Sequence, residues 1–212
     1  MEKFSVIIPT MWYSDRIHRN LSNLEDCDMV GEIILIDNNP SLKPTQIDYT
    51  KIRYITKDYN IFVNPAWNLG VELSKYDNIC ISNDDIIFST DIFSFIIQNI
   101  DEGVFGMSTG NYYGEGIDNP YQINRIDRRG WGWGCLLFLK KQNYVPIDER
   151  LKIACGDDWL FHHMDGYEIR GLDLGDDRIS QTSIKAEFFK QQLEDIKLWS
   201  QYLLSHIKDT TY

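Results

Sequence analysis

Short apolar runs in the first half of the chain alternate with segments in which apolar residues recur every three or four positions. Apolar runs that end in turn residues predict buried strands, and the wider spacing predicts amphipathic helices. Strands are predicted at 3–8, 32–36, 52–56, 78–82 and 104–108, and helices at 17–24, 66–74 and 93–100. Because strands that alternate with helices pair in parallel, the sequence predicts an α/β fold with a mostly parallel central sheet flanked by helices.

The second half of the chain has a different pattern. Residues 109–134 are rich in Gly, Asn, Tyr and Arg without apolar periodicity, which predicts a long loop of the kind that is functional or disordered. Strands are predicted at 136–140 and 168–174, and a short helix at 157–165. A final amphipathic helix carries Phe189, Leu193, Ile196, Trp199 and Leu203 on one face. The length of 212 residues favours a single domain.

Charge and hydropathy exclude several kinds of partner. The chain has 21 basic and 32 acidic residues, a net charge of −11, so nucleic-acid phosphates and anionic lipids repel it. No apolar run approaches the roughly 18 residues of a membrane span, and the first residues lack the features of a signal peptide. The four cysteines are widely spread, which is typical of reduced thiols. The sequence therefore predicts a cytoplasmic protein that binds no nucleic acid.

The segment Asn83-Asp84-Asp85 directly follows a predicted strand. Ligands of open α/β sheets bind at the carboxyl ends of strands, so we expect these side chains at the mouth of a site. Two carboxylates there suit Mg²⁺ or Mn²⁺ held between protein oxygens and a diphosphate. The structural alternative is that the same acids begin a turn or cap the next helix.

Four motifs in order extend this interpretation to a family. They are an apolar run ending in Pro9-Thr10, a second ending in DNNPS from Asp37, a segment ending in Asn68-Leu69-Gly70, and the Asn-Asp-Asp. Together they resemble the nucleotide-binding half of a GT-A glycosyltransferase, especially the inverting family 2 type, whose second motif reads Asp-Asp-Gly-Ser and whose last reads Asp-x-Asp. The resemblance implies one GT-A domain over 1–212, with 1–108 as the nucleotide-binding half and 109–212 as the acceptor-side half with the C-terminal helix.

The resemblance also implies a reaction and its components. A sugar would move from a UDP-sugar donor to a hydroxyl acceptor, a glycan or glycoconjugate, with Mn²⁺ or Mg²⁺ at the diphosphate. Asp37 would accept the N3–H of uracil, which predicts selectivity for UDP. The residues implied at the nucleotide are Pro9, Thr10, Asp37, Asn68, Asn83 and Asp84, and those implied at the metal are Asp85 and Asp84.

A glycine-rich segment carries Trp131, Gly132 and Trp133 directly before the strand predicted at 136–140. Glycine lets backbone approach a sugar closely, and an indole face stacks on its apolar surface. This interpretation places both tryptophans at the sugar or acceptor, so Trp133→Ala would raise KM with little loss of stability. The alternative is that the tryptophans fill the core.

The segment Gly156-Asp157-Asp158-Trp159 resembles the acidic motif from which the family takes its general base. The resemblance implies Asp158, or else Asp157, as the group that accepts the proton of the acceptor hydroxyl. A role in capping the helix that follows is compatible with this. One turn further on, His162 or His163 could complete a metal shell or be an ordinary histidine.

Three arginines, Arg125, Arg128 and Arg129, fall in the predicted long loop. Guanidinium groups bind phosphate well, so these residues could neutralise a diphosphate leaving group. A solvated basic patch is the equally favoured alternative.

Other classes of protein share parts of this pattern. A sugar-nucleotide pyrophosphorylase needs a glycine-rich loop after its first strand, whereas residues 9–13 contain no glycine. A non-catalytic sugar-binding module would suit the 13% aromatic content but would not need a strand-end acid pair. A DNA-modifying glucosyltransferase conflicts with the acidic charge. The short length further resembles glycosyltransferase domains of large DNA viruses and phages, which would place the protein in the host cytoplasm.

Overall fold

The central sheet contains eight strands. The computed structural model describes residues 2–44, 47–114, 119–176 and 185–209. The strands of the sheet are β1 (Phe4–Thr10), β2 (Val30–Asp37), β3 (Ile52–Thr56), β4 (Asn78–Ser82), β6 (Val104–Met107), β7 (Gln122–Arg125), β8 (Leu136–Lys140) and β9 (Gly166–Arg170). A separate two-stranded sheet pairs β5 (Ile86–Phe88) with β10 (Leu174–Asp176).

The order of the strands is β3-β2-β1-β4-β8-β6-β9-β7. The first four strands are parallel neighbours, with β1 between β2 and β4. β8 is antiparallel to both β4 and β6, β9 is parallel to β6, and β7 is antiparallel to β9. The predicted α/β class with a mostly parallel sheet is confirmed.

Helices cover both faces of this sheet. They are α1 (Arg16–Asp26), α2 (Val63–Leu73), α3 (Ile92–Ile96), α4 (Thr109–Tyr112), α5 (Gly156–His163) and α6 (Ala186–Asp209). Side chains alternate along β1, so Val6 and Ile8 pack in the layer that contains α1 and α3, while Ile7 packs in the layer that contains α2 and α5. Within the described ranges, no helix is long and apolar enough to cross a membrane.

The largest differences from the predicted elements lie in the second half of the chain. The expected loop at 109–134 contains α4 and the edge strand β7, whose residues are mostly exposed and so give no apolar alternation. The strand expected at 168–174 is two strands, β9 and β10, which belong to different sheets. Polar edge strands and short strands leave little signal in a hydrophobic pattern.

Trp133 belongs to the core, which corrects its predicted place at the sugar. It is 0% exposed, and its indole N–H donates to the carbonyl oxygen of Tyr167 at 2.9 Å. Gly106 in β6 makes room for the ring, because a Cβ there would lie 2.5 Å from ring carbons of Trp133. Trp131, two residues earlier, is 58% exposed. The same short segment therefore sends one indole inward and one outward.

We expect Trp133→Ala to lower the free energy of unfolding by about 3–5 kcal/mol, the cost of truncating a buried aromatic side chain. Trp131→Ala is the matched control and should change it little, since that ring is mostly exposed. Urea unfolding followed by circular dichroism measures both. Similar unfolding midpoints for the two variants would show that Trp133 is not a core residue.

Candidate active site

A cleft of about 510 Å³ lies at the edge of the sheet where β1 and β4 end. These two strands are parallel neighbours, so the residues that follow them meet at this edge. Because β8 is antiparallel to β4, the chain enters β8 at the same edge, with Leu136 opposite Ser82. The N–H of Asn83 donates to the carbonyl oxygen of Cys135 at 2.9 Å. The topology thus brings two segments that are about 50 residues apart in the chain to the same cleft.

The strand-end acids line this cleft together with the end of β1. Pro9, Thr10, Asn83, Asp84 and Asp85 are all on its wall. The Thr10 hydroxyl donates to Asp84 Oδ2 at 2.6 Å, and the N–H of Met11 approaches the same oxygen at 3.4 Å. These bonds orient the Asp84 carboxylate relative to β1. The structure therefore brings together five of the residues predicted at the nucleotide and the metal.

Asp157 and Asp158 line the same cleft from the first turn of α5. Arg129, which precedes β8, donates from Nε and Nη2 to the two oxygens of Asp158 at 2.7 and 2.5 Å, and Nη1 lies 3.0 Å from Asp157 Oδ2. Burial raises the pKa of Asp157 above its ordinary value of 3.8; Arg129 opposes the shift and Asp158 adds to it. A Cβ at Gly134 would lie 2.6 Å from Asp157 Cβ, so only glycine allows this approach.

Trp131 and Gly132 line the cleft just before β8, and Trp131 is one of several aromatic residues there. The Trp131 ring packs edge-on against Tyr112, with ring centroids 4.5 Å apart, and keeps most of its surface exposed. Gly132 has a φ of 75°, a left-handed conformation that glycine adopts without strain. An exposed indole at a polar cleft is a suitable platform for a sugar ring.

Asp37 is placed differently from its predicted role. Its carboxylate is fully buried and accepts the Tyr54 hydroxyl and, at 2.8 Å, the N–H of Asn39. A carboxylate used in this way braces β2 against β3, and Asp37 is not among the residues that line the cleft, so uracil recognition by Asp37 stays a prediction that requires this carboxylate to rearrange. The next residue, Asn38, lines the cleft in its place.

Asn68 also turns away from the predicted nucleotide site. Its amide N–H donates to the Ile147 carbonyl oxygen at 2.8 Å, and its Oδ1 accepts the Tyr144 hydroxyl and the Ile147 N–H at 2.7 and 2.9 Å. All of these partners lie in the segment between β8 and α5. Asn68 is not among the residues that line the cleft, so its predicted place at the nucleotide stays a prediction, and the bonds that it makes in the structure fix this segment.

The two histidines of α5 pack against α6. His163 Nδ1 lies 2.8 Å from the Trp159 carbonyl oxygen and Nε2 lies 2.9 Å from the Tyr202 hydroxyl. His162 packs edge-on against Trp199, and burial lowers its pKa. These surroundings favour the alternative of ordinary histidines over metal ligands.

The three loop arginines separate in the structure. Arg125 pairs with exposed Asp165 at 2.5 Å, and Arg128 is exposed. Arg129 alone among the three lines the cleft. Of the three, Arg129 is thus the one in a position to contact a ligand of the cleft, while the other two belong to the solvated surface.

The carboxylates of the cleft suit a divalent cation that has few protein ligands. Among the residues that the structure describes, no group of three or more His, Cys, Asp or Glu side chains is placed to hold a metal ion. Asp84 and Asp85 offer hard oxygen donors on one wall. Mg²⁺ usually takes one or two protein carboxylates and completes its shell with substrate phosphates and water. The donor set therefore suits a cation that binds together with a diphosphate.

Several lining residues carry no motif that sequence reasoning recognised. Phe62 and Cys155 line the cleft, and Trp12 follows Met11, which also lines it. These three are the non-glycine residues with a left-handed backbone in the described part of the chain, with φ values of 67°, 62° and 60°. Each such residue costs roughly 1–3 kcal/mol and persists where the surroundings hold it, often at functional sites. Backbone dihedrals are not visible in a sequence, so this signal appears only in the structure.

The acidic cleft lies at the carboxyl edge of a mostly parallel sheet, which is where open α/β folds bind their ligands. The chain belongs to glycosyl transferase family 2, which it matches over residues 5–164. This membership separates it from the sugar-nucleotide pyrophosphorylases. A comparison with curated proteins gave no match.

Solved structures of glycosyltransferases share the fold. S. aureus TarS 1-349 in complex with UDP superposes with a TM-score of 0.54 at 14% identity, over 78% of this chain and 57% of that one. GalNAc-T7 with UDP, GalNAc and Mn²⁺ gives a TM-score of 0.61 at 10% identity, over 83% of this chain and 44% of that one. The chain thus spans about half the length of these proteins, and at such identities the likeness shows the GT-A fold alone.

We expect Asp157→Asn to make the protein more stable than the wild type at pH 7. The raised pKa means that folded Asp157 holds its proton to higher pH than unfolded Asp157, so wild-type stability falls as pH rises from 3.8 through the folded value. Asparagine carries no charge to bury. Below pH 3.8 the difference in stability should shrink.

Urea unfolding at several pH values tests this expectation. Glu102→Gln, which removes an exposed carboxylate, is the control and should show little gain at pH 7. An Asp157→Asn variant that is less stable than the wild type at pH 7 would mean that the ion pair with Arg129 outweighs the burial of the charge.

Proposed function

We propose that the protein transfers a sugar from a UDP-sugar to a hydroxyl group of a glycan or glycoconjugate, with the help of Mn²⁺ or Mg²⁺. The observation that carries the proposal is the placement of two acid pairs, Asp84-Asp85 and Asp157-Asp158, on the walls of one cleft. Sugar transfer needs negative charge neutralised at a leaving diphosphate and a base at an attacking hydroxyl. The two pairs would divide these tasks.

Asp85, with Asp84, would hold the cation on the nucleotide side. The hydrogen bond from Thr10 to Asp84 supports this assignment, since it fixes the carboxylate at the end of β1. When bound, the cation supplies positive charge that stabilises the leaving diphosphate. Arg129, beside Asp157 and Asp158, adds a positive charge of the protein to the same cleft.

UDP as the nucleotide rests on two kinds of support. TarS and GalNAc-T7, which share the fold, were solved with UDP. Asn38 and Asn60, whose amides can both donate and accept, line the cleft beyond Pro9 and Thr10. Asn38 Oδ1 accepts the Ile61 N–H at 3.1 Å, which orients its amide. We therefore assign base recognition to these amides instead of Asp37.

Asp158 would act as the general base. It accepts the proton of the acceptor hydroxyl while the oxygen forms a bond to the anomeric carbon and the bond from that carbon to the diphosphate breaks, with inversion. Arg129 donates to both oxygens of Asp158 in the structure, and each oxygen keeps a lone pair that can accept the acceptor hydroxyl. An incoming diphosphate would compete for the guanidinium and so weaken its hold on Asp158. Trp131 would stack on the sugar.

The narrower expectations of a viral or phage origin and of a cytoplasmic location stay predictions. A non-catalytic sugar-binding module is the remaining alternative of a different class. It would bind sugar or nucleotide without releasing UDP from any UDP-sugar, so donor hydrolysis separates it from a transferase.

The proposed cation site predicts that UDP binding requires Mn²⁺ or Mg²⁺ and that Asp85→Asn abolishes this binding while leaving the fold intact. Losing one anionic oxygen removes much of the protein's hold on a cation that has few protein ligands. Calorimetric titration of UDP in MnCl₂ and in EDTA measures the effect, with Glu102→Gln as the control. Equal UDP affinity in MnCl₂ and EDTA for the wild type would refute the cation site.

The proposed base predicts that Asp158→Asn lowers turnover by roughly 10²-fold or more while UDP affinity is largely kept. UDP release from a panel of UDP-sugars gives turnover, and proton NMR gives the configuration of the product. If Asp157→Asn is impaired and Asp158→Asn is not, the two roles are exchanged. A retained configuration with neither acid required would contradict general-base catalysis.

A further inference from the structure

The turn that leads into α5 is held in an unfavourable conformation. Cys155, the residue before α5, has a φ of 62°, and its side chain is almost fully buried. A non-glycine residue in this region is strained and keeps its conformation only where neighbours impose it. The first turn of α5 carries Asp157 and Asp158, so the path of the backbone at Cys155 decides where both carboxylates lie.

Asp195 on α6 supplies the contacts that hold this turn. Its Oδ2 accepts the backbone N–H groups of Ile153 and Ala154 at 2.6 and 2.8 Å, and its Oδ1 accepts the Gln191 amide at 2.9 Å. The residue is 0% exposed. From the other side, the Asn64 amide donates to the Ala154 carbonyl oxygen at 3.0 Å. The segment before Cys155 is thus fixed between α2 and α6.

A buried carboxylate is an expensive way to attach a helix. Apolar residues of similar volume would join α6 to the loop without desolvating a charge. A carboxylate has one advantage here, since a single oxygen can accept two consecutive N–H groups and so fix the direction of the backbone. The same helix lines the cleft with Phe188, Gln192 and Ile196. α6 lies beyond the region that matches the family model, which ends at residue 164.

We propose that Asp195 is a positioning residue for the general base: by holding the N–H groups of Ile153 and Ala154, it sets the turn at Cys155 and places Asp158 for proton transfer. This role rests on the proposed function. Displacing a catalytic group by about 1 Å can cost roughly 10²-fold in rate, so such an anchor affects turnover more than binding.

The test measures UDP release from UDP-glucose, UDP-galactose, UDP-N-acetylglucosamine and UDP-N-acetylgalactosamine in MnCl₂, using the full chain. Asp195→Asn should lower kcat by roughly 10- to 100-fold and leave the Kd of UDP unchanged. The same change made in the Asp158→Asn background should have no further effect, because the residue that it positions no longer acts as a base. Glu102→Gln, at the opposite edge of the sheet, is the control for loss of one carboxylate.

A change at Gln191 provides a second arm. The Gln191 amide can turn and accept a hydrogen bond from the new amide of Asp195→Asn, so adding Gln191→Leu removes that partner and should lower kcat further. If Asp195→Asn does not fold, Gln191→Leu loosens the same anchor and should show a smaller loss with the same dependence on Asp158.

The outcomes separate the two proposals. UDP release that depends on Asp158 but is unchanged by Asp195→Asn overturns the positioning role alone. An equal fold-loss of kcat with and without Asp158 also overturns it, since that is the result of a general structural defect. No UDP release by the wild type contradicts the proposed function, and the positioning role is overturned with it.

Discussion

Because β8 runs antiparallel to β4, the chain enters β8 at the edge of the sheet where β4 ends. This pairing places the segment 129–135 beside Asn83-Asp84-Asp85, and Arg129 and Trp131 reach the cleft for that reason. Arg129 in turn binds the acids of α5. A parallel β8 would begin at the opposite edge and would remove the arginine and the indole from the site. The set of residues in the cleft thus depends on the direction of one strand, β8, which pairs antiparallel with the last of four parallel strands.

Electrostatics gives the cleft its second constraint. Four carboxylates and one arginine line it in a protein of net charge −11. Like charges in a partly enclosed space repel, and burial raises the pKa of Asp157. Such an arrangement costs stability unless positive charge is present, and Arg129 supplies part of it. A cation that binds together with a diphosphate would neutralise part of the remaining negative charge, and the phosphate oxygens would be further ligands for it.

The C-terminal helix gives the site a wall that the family match does not cover. α6 contributes apolar side chains to the cleft and a buried carboxylate to the loop before α5. The matched region ends at residue 164, before this helix begins. The acid motif of α5 thus lies inside the matched region and the helix that contacts the loop before it lies outside, and the geometry of the proposed base depends on both.

The sequence by itself determined the main strands and the chemistry at their ends. β3, β4 and β8 have the predicted bounds. For β4 and β8 the reason is that a buried strand must be an apolar run, whereas β3 is a partly exposed strand with polar positions. The sequence also predicted that Asp84 and Asp85 follow a strand and that Asp157 and Asp158 begin a helix, as the structure has them. Only the tertiary structure decided which of two tryptophans is exposed, that Asp37 is buried against Tyr54, and that Asn68 bonds to a residue 79 positions away. Hydrophobic periodicity reports which face of an element is buried, whereas the direction and partner of a single polar or aromatic side chain depend on distant segments.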